Sequence, residues 1–332
     1  MKKHVFTLFA LSASLLISVL LLETGFRVFS IATIPENSRN IWRHWNFGKF
    51  DWRAIKRYYN KRYVYDPVVG YGRADLMDPP PRESGEEPGF TILVLGDSLT
   101  EGPSYVPRFR RLVENAFGKG NVRIVNAGVI GYDTELEYRF LKSRGERFAP
   151  DLVVLQFCLN DFETTPVILP TGDGNWTALH LGFVSRFIPR RLLSRSRLLQ
   201  FIALRIMPLL FRARFERSPN EIRRYLHKIE NWTRNHGAEF RILLFPFFLP
   251  ENETDPREAK IRGILDSLGL PPRTVDLSPA FSGYSSETLR ANPDDPCHPS
   301  RPAHEIAARK LFEALRPLIA KSTPGETSET AG

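Results

Sequence analysis

At 332 residues, 42% hydrophobic and 25% charged, the chain has an ordinary globular composition and can bury a full core. One α/β domain of about 230 residues with N-terminal attachments fits that length better than two equal domains. A formal net charge of +9 permits a nucleic acid, an anionic membrane surface or an acidic polymer as partner; no helix-turn-helix, zinc-finger spacing or aromatic RNA-binding signature accompanies it, so no nucleic-acid partner is expected.

Met1-Lys2-Lys3-His4 precedes an uncharged apolar run over residues 5–22, long enough to cross a hydrocarbon core of about 30 Å at about 1.5 Å per residue. A cleaved signal peptide competes with an uncleaved signal anchor. Glu23-Thr24-Gly25-Phe26-Arg27 supplies no small-x-small cleavage site, which favours the anchor. The two lysines argue for a cytoplasmic N-terminus and a main domain outside the cytoplasm, periplasmic or extracellular, although Arg27, Arg39 and Arg43 weaken the asymmetry. The expected division is an anchor over 1–27, a juxtamembrane segment and linker over 28–90, the main domain over 91–321 with a basic insertion at about 163–219, and a disordered tail over 322–332.

Between 37 and 65, rings such as Trp42, Trp45, Trp52, Tyr63 and Tyr65 alternate with Arg43, Lys49, Arg57 and Arg62. Amphipathic rings and long cations suit a headgroup layer. They equally suit a small subdomain that packs its aromatics on the main domain, and both readings stay open. Residues 78–89, with Pro79-Pro80-Pro81 and Pro88, form a linker that cannot continue a helix.

From 91 onward strand and helix patterns alternate. Strands are expected at 91–95, 122–125, 152–157, 241–245 and 273–277. Helices are expected at 107–117, 134–146, 220–235, 256–268 and 303–318. Short continuous apolar runs indicate strands covered on both faces, hence an α/β fold: a flavodoxin-like three-layer sandwich on a five-stranded parallel sheet, preceded by one N-terminal transmembrane helix.

Chemistry-bearing residues follow those strands. Gly96-Asp97-Ser98-Leu99 comes directly after the first, at the edge where open α/β sheets gather ligands, and reads as a presented serine nucleophile. A hydroxyl is inert until a base takes its proton. Asp295-Pro296-Cys297-His298 supplies that base: an Asp three residues ahead can hold one imidazole nitrogen while the other faces Ser98. Asn126-Ala127-Gly128-Val129-Ile130-Gly131 and Leu159-Asn160-Asp161 follow the next two strands; a glycine N–H and an Asn amide are the neutral donors an oxyanion site requires. No His, Cys or Asp cluster has metal-ligand spacing and no glycine loop is built for phosphate, so no cofactor is expected.

This ordered set resembles the GDSL, or SGNH, hydrolase family, whose blocks carry Ser, Gly, Asn and His. The matching positions are Ser98, Gly131, Asn160, and Asp295 with His298, over about 91–318. A four-letter match such as Gly-Asp-Ser-Leu arises by chance on the order of once in a hundred chains; the order and the strand contexts carry the resemblance. Two departures stand out: Cys158-Leu159 where a glycine usually precedes Asn-Asp, and Ala303-His304 where Gly-His is common. His304 reads as a packing or capping residue rather than a second base.

The resemblance implies an SGNH-type serine esterase with Ser98, Asp295 and His298 as catalytic residues and Ser98, Gly131 and Asn160 forming the oxyanion hole. Its substrate would be an ester, an O-acyl group of an envelope carbohydrate or a lipid. An O-acyltransferase acting on an envelope polysaccharide would use the same groups, and an inactive membrane-tethered glycan binder is the alternative of another class.

Two features remain. Over 183–217 the insertion carries nine arginines against Glu216 alone, with 198–210 nearly all apolar. A lid, a membrane contact, or a helix packed with a solvated arginine face would each use that pattern. The only cysteines, Cys158 and Cys297, lie in two of the blocks; a bond between their loops and separate buried thiols are both compatible with the sequence.

Overall fold

The computed structural model describes residues 2–28, 62–66, 68–77, 89–102, 104–162, 167–170, 176–179, 192, 196–202, 217–250 and 253–322. The chain divides into two compact units, 1–50 with 166–215 and 51–165 with 216–332.

The first unit contains helix α1 (Lys2–Val28). Within it Phe9–Val28 is long and apolar enough to cross a membrane, with a mean hydropathy of 1.9 and none of it buried; a signal sequence near an N-terminus has the same properties. The Glu23 carboxylate accepts from Ser196 Oγ at 2.8 Å and from the Arg197 and Leu198 N–H groups at 3.0 Å, so it caps the short helix Arg197–Phe201. The Phe26 and Phe201 rings meet at 4.9 Å.

The second unit opens with the antiparallel pair β1 (Tyr63–Asp66) and β2 (Gly70–Arg73). Then come β3 (Phe90–Gly96), helix α2 (Tyr105–Phe117), β4 (Val122–Gly128), helix α3 (Thr134–Phe148) and β5 (Leu152–Phe157). Strands β6 (Val167–Pro170) and β7 (Trp176–Leu179) pair as a hairpin of the first unit. The chain returns through helix α4 (Pro219–Asn235), β8 (Glu239–Leu244), helix α5 (Pro256–Ser267), β9 (Thr274–Asp276) and helix α6 (Arg301–Ser322).

Five strands form one parallel sheet in the order β4-β3-β5-β8-β9. In sequence order that is 2-1-3-4-5, the flavodoxin-like winding, with its switch point between β3 and β5. All residues of β3 and β5 are buried, which is why they read as unbroken apolar runs. Ile92 and Val94 face a core with Phe109 and Val113 of α2 and Leu311 and Leu315 of α6. Helices α3 and α4 pack together on the other side, where Gly145 makes room for the Trp232 ring.

Expected and observed elements agree to within a few residues. Of the aromatic and basic segment over 37–65, residues 62–65 are described, and Tyr63 is buried in the hairpin they begin. Residues 37–61, the linker 78–88, most of the arginine-rich insertion and the tail 323–332 lie outside the described residues. One insertion arginine departs from a solvated face. Arg217 is buried and bonds Asp133 and Glu135 at 2.8 Å, pinning the chain's return beside the start of α3.

Candidate active site

The carboxyl end of β3 is built for a tight turn. Asp97 caps the short helix Ser98–Glu101 by accepting the Leu99 N–H at 2.8 Å, while its own N–H donates to Gln156 Oε1. That helix lies so close to β4 that a Cβ at Gly128 would fall 2.5 Å from the Glu101 nitrogen. Ser98 is thereby presented at the switch point.

Across that edge, Ser98 Oγ lies 2.9 Å from His298 Nε2, and His298 Nδ1 lies 2.6 Å from Asp295 Oδ2. Asp295 Oδ1 also accepts the Cys297 and His298 N–H groups, so the acid is held by the loop it orients. Burial raises the Asp295 pKa, but the hydrogen bond and charge of His298 outweigh it and leave the group below its ordinary value. Burial pulls His298 down, while the bond and charge of Asp295, with the charge of Asp97, carry it above its ordinary value. The neutral ring then keeps its proton on Nδ1 and turns Nε2 as acceptor toward Ser98.

Asn160 follows β5 in the turn Leu159–Phe162. Its Nδ2 donates to Asp97 Oδ2 at 2.6 Å, and its buried Oδ1 has no hydrogen-bond partner among the described residues. With a carboxylate as acceptor, the amide nitrogen must face Asp97, and its second N–H remains for a ligand. Asp161 fixes the turn from behind, accepting Thr134 N at 2.7 Å, Thr134 Oγ1 at 2.8 Å and Cys158 N at 2.9 Å. Burial raises the Asp97 and Asp161 pKa values.

Gly131 adopts φ +78, and a Cβ there would fall 2.7 Å from the Tyr71 hydroxyl. Left-handed backbone and close approach both demand glycine. His304 is buried beside Tyr105, and burial, then the charges of Arg108 and His298, bring its pKa down to about 4. It is a neutral packing residue. Cys158 and Cys297 are thiols with their sulfurs 3.8 Å apart. Among the described residues, no group of three His, Cys, Asp or Glu side chains could hold a metal ion.

The catalytic trio expected from sequence is thus hydrogen-bonded in series, and Asn160 reaches the same turn through Asp97. Two contributors escape a motif reading. Asp97 sits inside the Gly-Asp-Ser-Leu run, yet its bond to Asn160 spans 63 residues. Tyr71 lies in a segment whose alternating Tyr63-Val64-Tyr65 and turn-forming Asp66-Pro67 were a readable hairpin signal.

The model of the GDSL-like Lipase/Acylhydrolase family matches residues 94–306. No curated protein matches the chain. Similar solved structures include LAE5, an alpha/beta hydrolase enzyme from the metagenome of Lake Arreo, Spain, at 17% identity and a TM-score of 0.48, covering 70% of this chain and 99% of that one. Axe2, an acetylxylan esterase from Geobacillus stearothermophilus, is 21% identical with a TM-score of 0.44, covering 69% of this chain and 95% of its own.

Proposed function

Because the chain belongs to the GDSL-like lipase/acylhydrolase family and is an ester-hydrolysing enzyme, we propose that it removes an O-acyl group from an envelope carbohydrate or a lipid through an acyl-serine intermediate. The observation that carries this reading is the series Ser98 Oγ, His298 Nε2 and Nδ1, Asp295 Oδ2, with separations of 2.9 and 2.6 Å.

His298 takes the Ser98 proton at Nε2 as Oγ attacks the ester carbonyl. Asp295 stabilises the imidazolium. The Ser98 and Gly131 N–H groups and the Asn160 amide receive the tetrahedral oxyanion. Collapse expels the alcohol, which takes the proton from His298. Water, deprotonated by the same nitrogen, then attacks the acyl-serine and releases the acid.

The substrate class rests on location. Lys2 and Lys3 ahead of the apolar helix favour a signal anchor with its N-terminus in the cytoplasm, the hydrolase domain of about 91–321 outside it, and 28–90 as the connecting segment. Acylated envelope polymers and lipids are the esters met there.

The test is hydrolysis of p-nitrophenyl acetate by the full chain in detergent, beside Ser98→Ala, with labelling by a serine-directed phosphonate. Turnover and labelling that vanish in the variant support the reading. Equal rates in both, with no labelling of Ser98, overturn it in favour of a tethered glycan binder. Product analysis with a sugar acceptor separates hydrolysis from acyl transfer.

A further inference from the structure

The hairpin β1–β2 precedes the residues that match the family, yet it grips the loop after β4. Tyr71 Oη donates to Ile130 O at 2.5 Å. Tyr132 Oη returns a bond to Tyr71 O at 2.5 Å, and Arg73 Nη1 donates to Asn126 O and Gly128 O at 3.1 Å. On the other side of the same residue, Glu101 Oε2 accepts the Ile130 N–H at 2.6 Å, and Tyr63 Oη donates to that carboxylate at 2.6 and 2.7 Å.

Ile130 C=O and Gly131 N–H belong to one peptide unit. A trans peptide is planar, so its carbonyl and its N–H point in opposite directions. A donor fixed on Ile130 O therefore fixes where the Gly131 N–H points, and drawing electron density to that oxygen strengthens the N–H as a donor. The Tyr71 ring has little freedom to turn. It is buried, edge-on to Tyr63 at 6.0 Å and to Tyr132 at 5.5 Å.

We propose that Tyr71 is a positioning residue for the oxyanion site: its hydroxyl sets the 130–131 peptide so that the Gly131 N–H meets the developing negative charge. The proposal rests on the esterase reading above. It makes the segment between the apolar helix and the hydrolase domain part of the catalytic apparatus. Tyr71 acts only through the peptide, so substrate binding is untouched while transition-state binding suffers.

The experiment compares full-length wild type with Tyr71→Phe, which keeps the ring and its packing. One hydrogen bond from a side-chain hydroxyl to the Ile130 carbonyl holds the peptide, so kcat should fall about three- to tenfold, with KM and melting temperature close to wild type. Affinity for a boronic acid, whose serine adduct carries a tetrahedral oxygen, should fall in step with kcat, whereas a merely structural role would not couple the two. Wild-type kcat in the variant, or a loss matched by a rise in KM with unchanged boronate affinity, overturns the proposal. If the wild type shows no Ser98-dependent chemistry, the esterase reading fails separately. Amide exchange over 126–132 then decides the positioning claim: faster exchange in Tyr71→Phe supports it and unchanged exchange overturns it.

Discussion

Gly131→Ala concentrates the reasoning about the oxyanion loop in one methyl group. At φ +78 a non-glycine residue pays about 1–2 kcal/mol for left-handed backbone. The new Cβ would also stand 2.7 Å from the Tyr71 hydroxyl, well inside ordinary contact. The ring is wedged between Tyr63 and Tyr132, so relief comes by stretching the bond from Tyr71 Oη to Ile130 O, at about 1 kcal/mol. Together these reach about 2–3 kcal/mol. Exerted on the orientation of the 130–131 peptide, that is a loss of roughly 30- to 150-fold in kcat, reaching only the lower end of the hundred- to thousandfold loss for removing an oxyanion donor outright. Steady-state hydrolysis of p-nitrophenyl acetate reads kcat, and thermal melting monitors the fold. In Tyr71→Phe the hydroxyl that meets the methyl is gone, so the double variant should lose less than the product of the two single losses. A Gly131→Ala enzyme within threefold of wild-type kcat, or strict multiplicativity of the two changes, refutes the argument.

The pH profile tests the His298–Asp295 couple. His298 serves as base only when neutral, and its pKa is raised, so kcat/KM should decline as pH falls through a midpoint above 6.5. Asp295→Asn removes the bond and charge that raise it, so the acid limb should move to lower pH while the plateau falls about 10⁴-fold; an unmoved limb contradicts the assignment. Asn160→Ala should lower turnover by about a hundred- to a thousandfold with little change in KM, and an undiminished rate rejects its role. His304, neutral in the fold with a pKa of about 4, has an ordinary value of 6.5 once unfolded, so the unfolded chain binds the extra proton between those values. Stability should be full above about pH 6.5 and fall by on the order of 3 kcal/mol as pH drops toward 4. Melting curves of wild type and His304→Leu across that window check it, and parallel pH dependences would contradict it.

Much of this protein was legible in its residues because the forces that write it are local. Strands buried on both faces must be apolar throughout, so β3 and β5 announced themselves, and the alternation with amphipathic helices implied a parallel sheet. Open sheets place loops at their carboxyl edge, so Ser98, Asn160, Asp295 and His298 could be gathered before any distance was known. Arg217 was not legible in the same way. It closes an arginine-rich stretch, directly after Glu216, but its partners, Asp133 and Glu135, stand at the start of α3.

Sequence by itself determined the sheet and the order of the chemical groups, since each depends on residue type and on spacing along the chain. Tertiary structure alone decided which groups share a hydrogen bond across long separations. Asp97 meets Asn160, the two thiols come within contact, and Tyr71 reaches the carbonyl of Ile130 across 59 residues. A hydrogen bond needs its partners within about 3 Å and aligned, and no pattern along a chain specifies that until the sheet has folded and brought the loops to one edge.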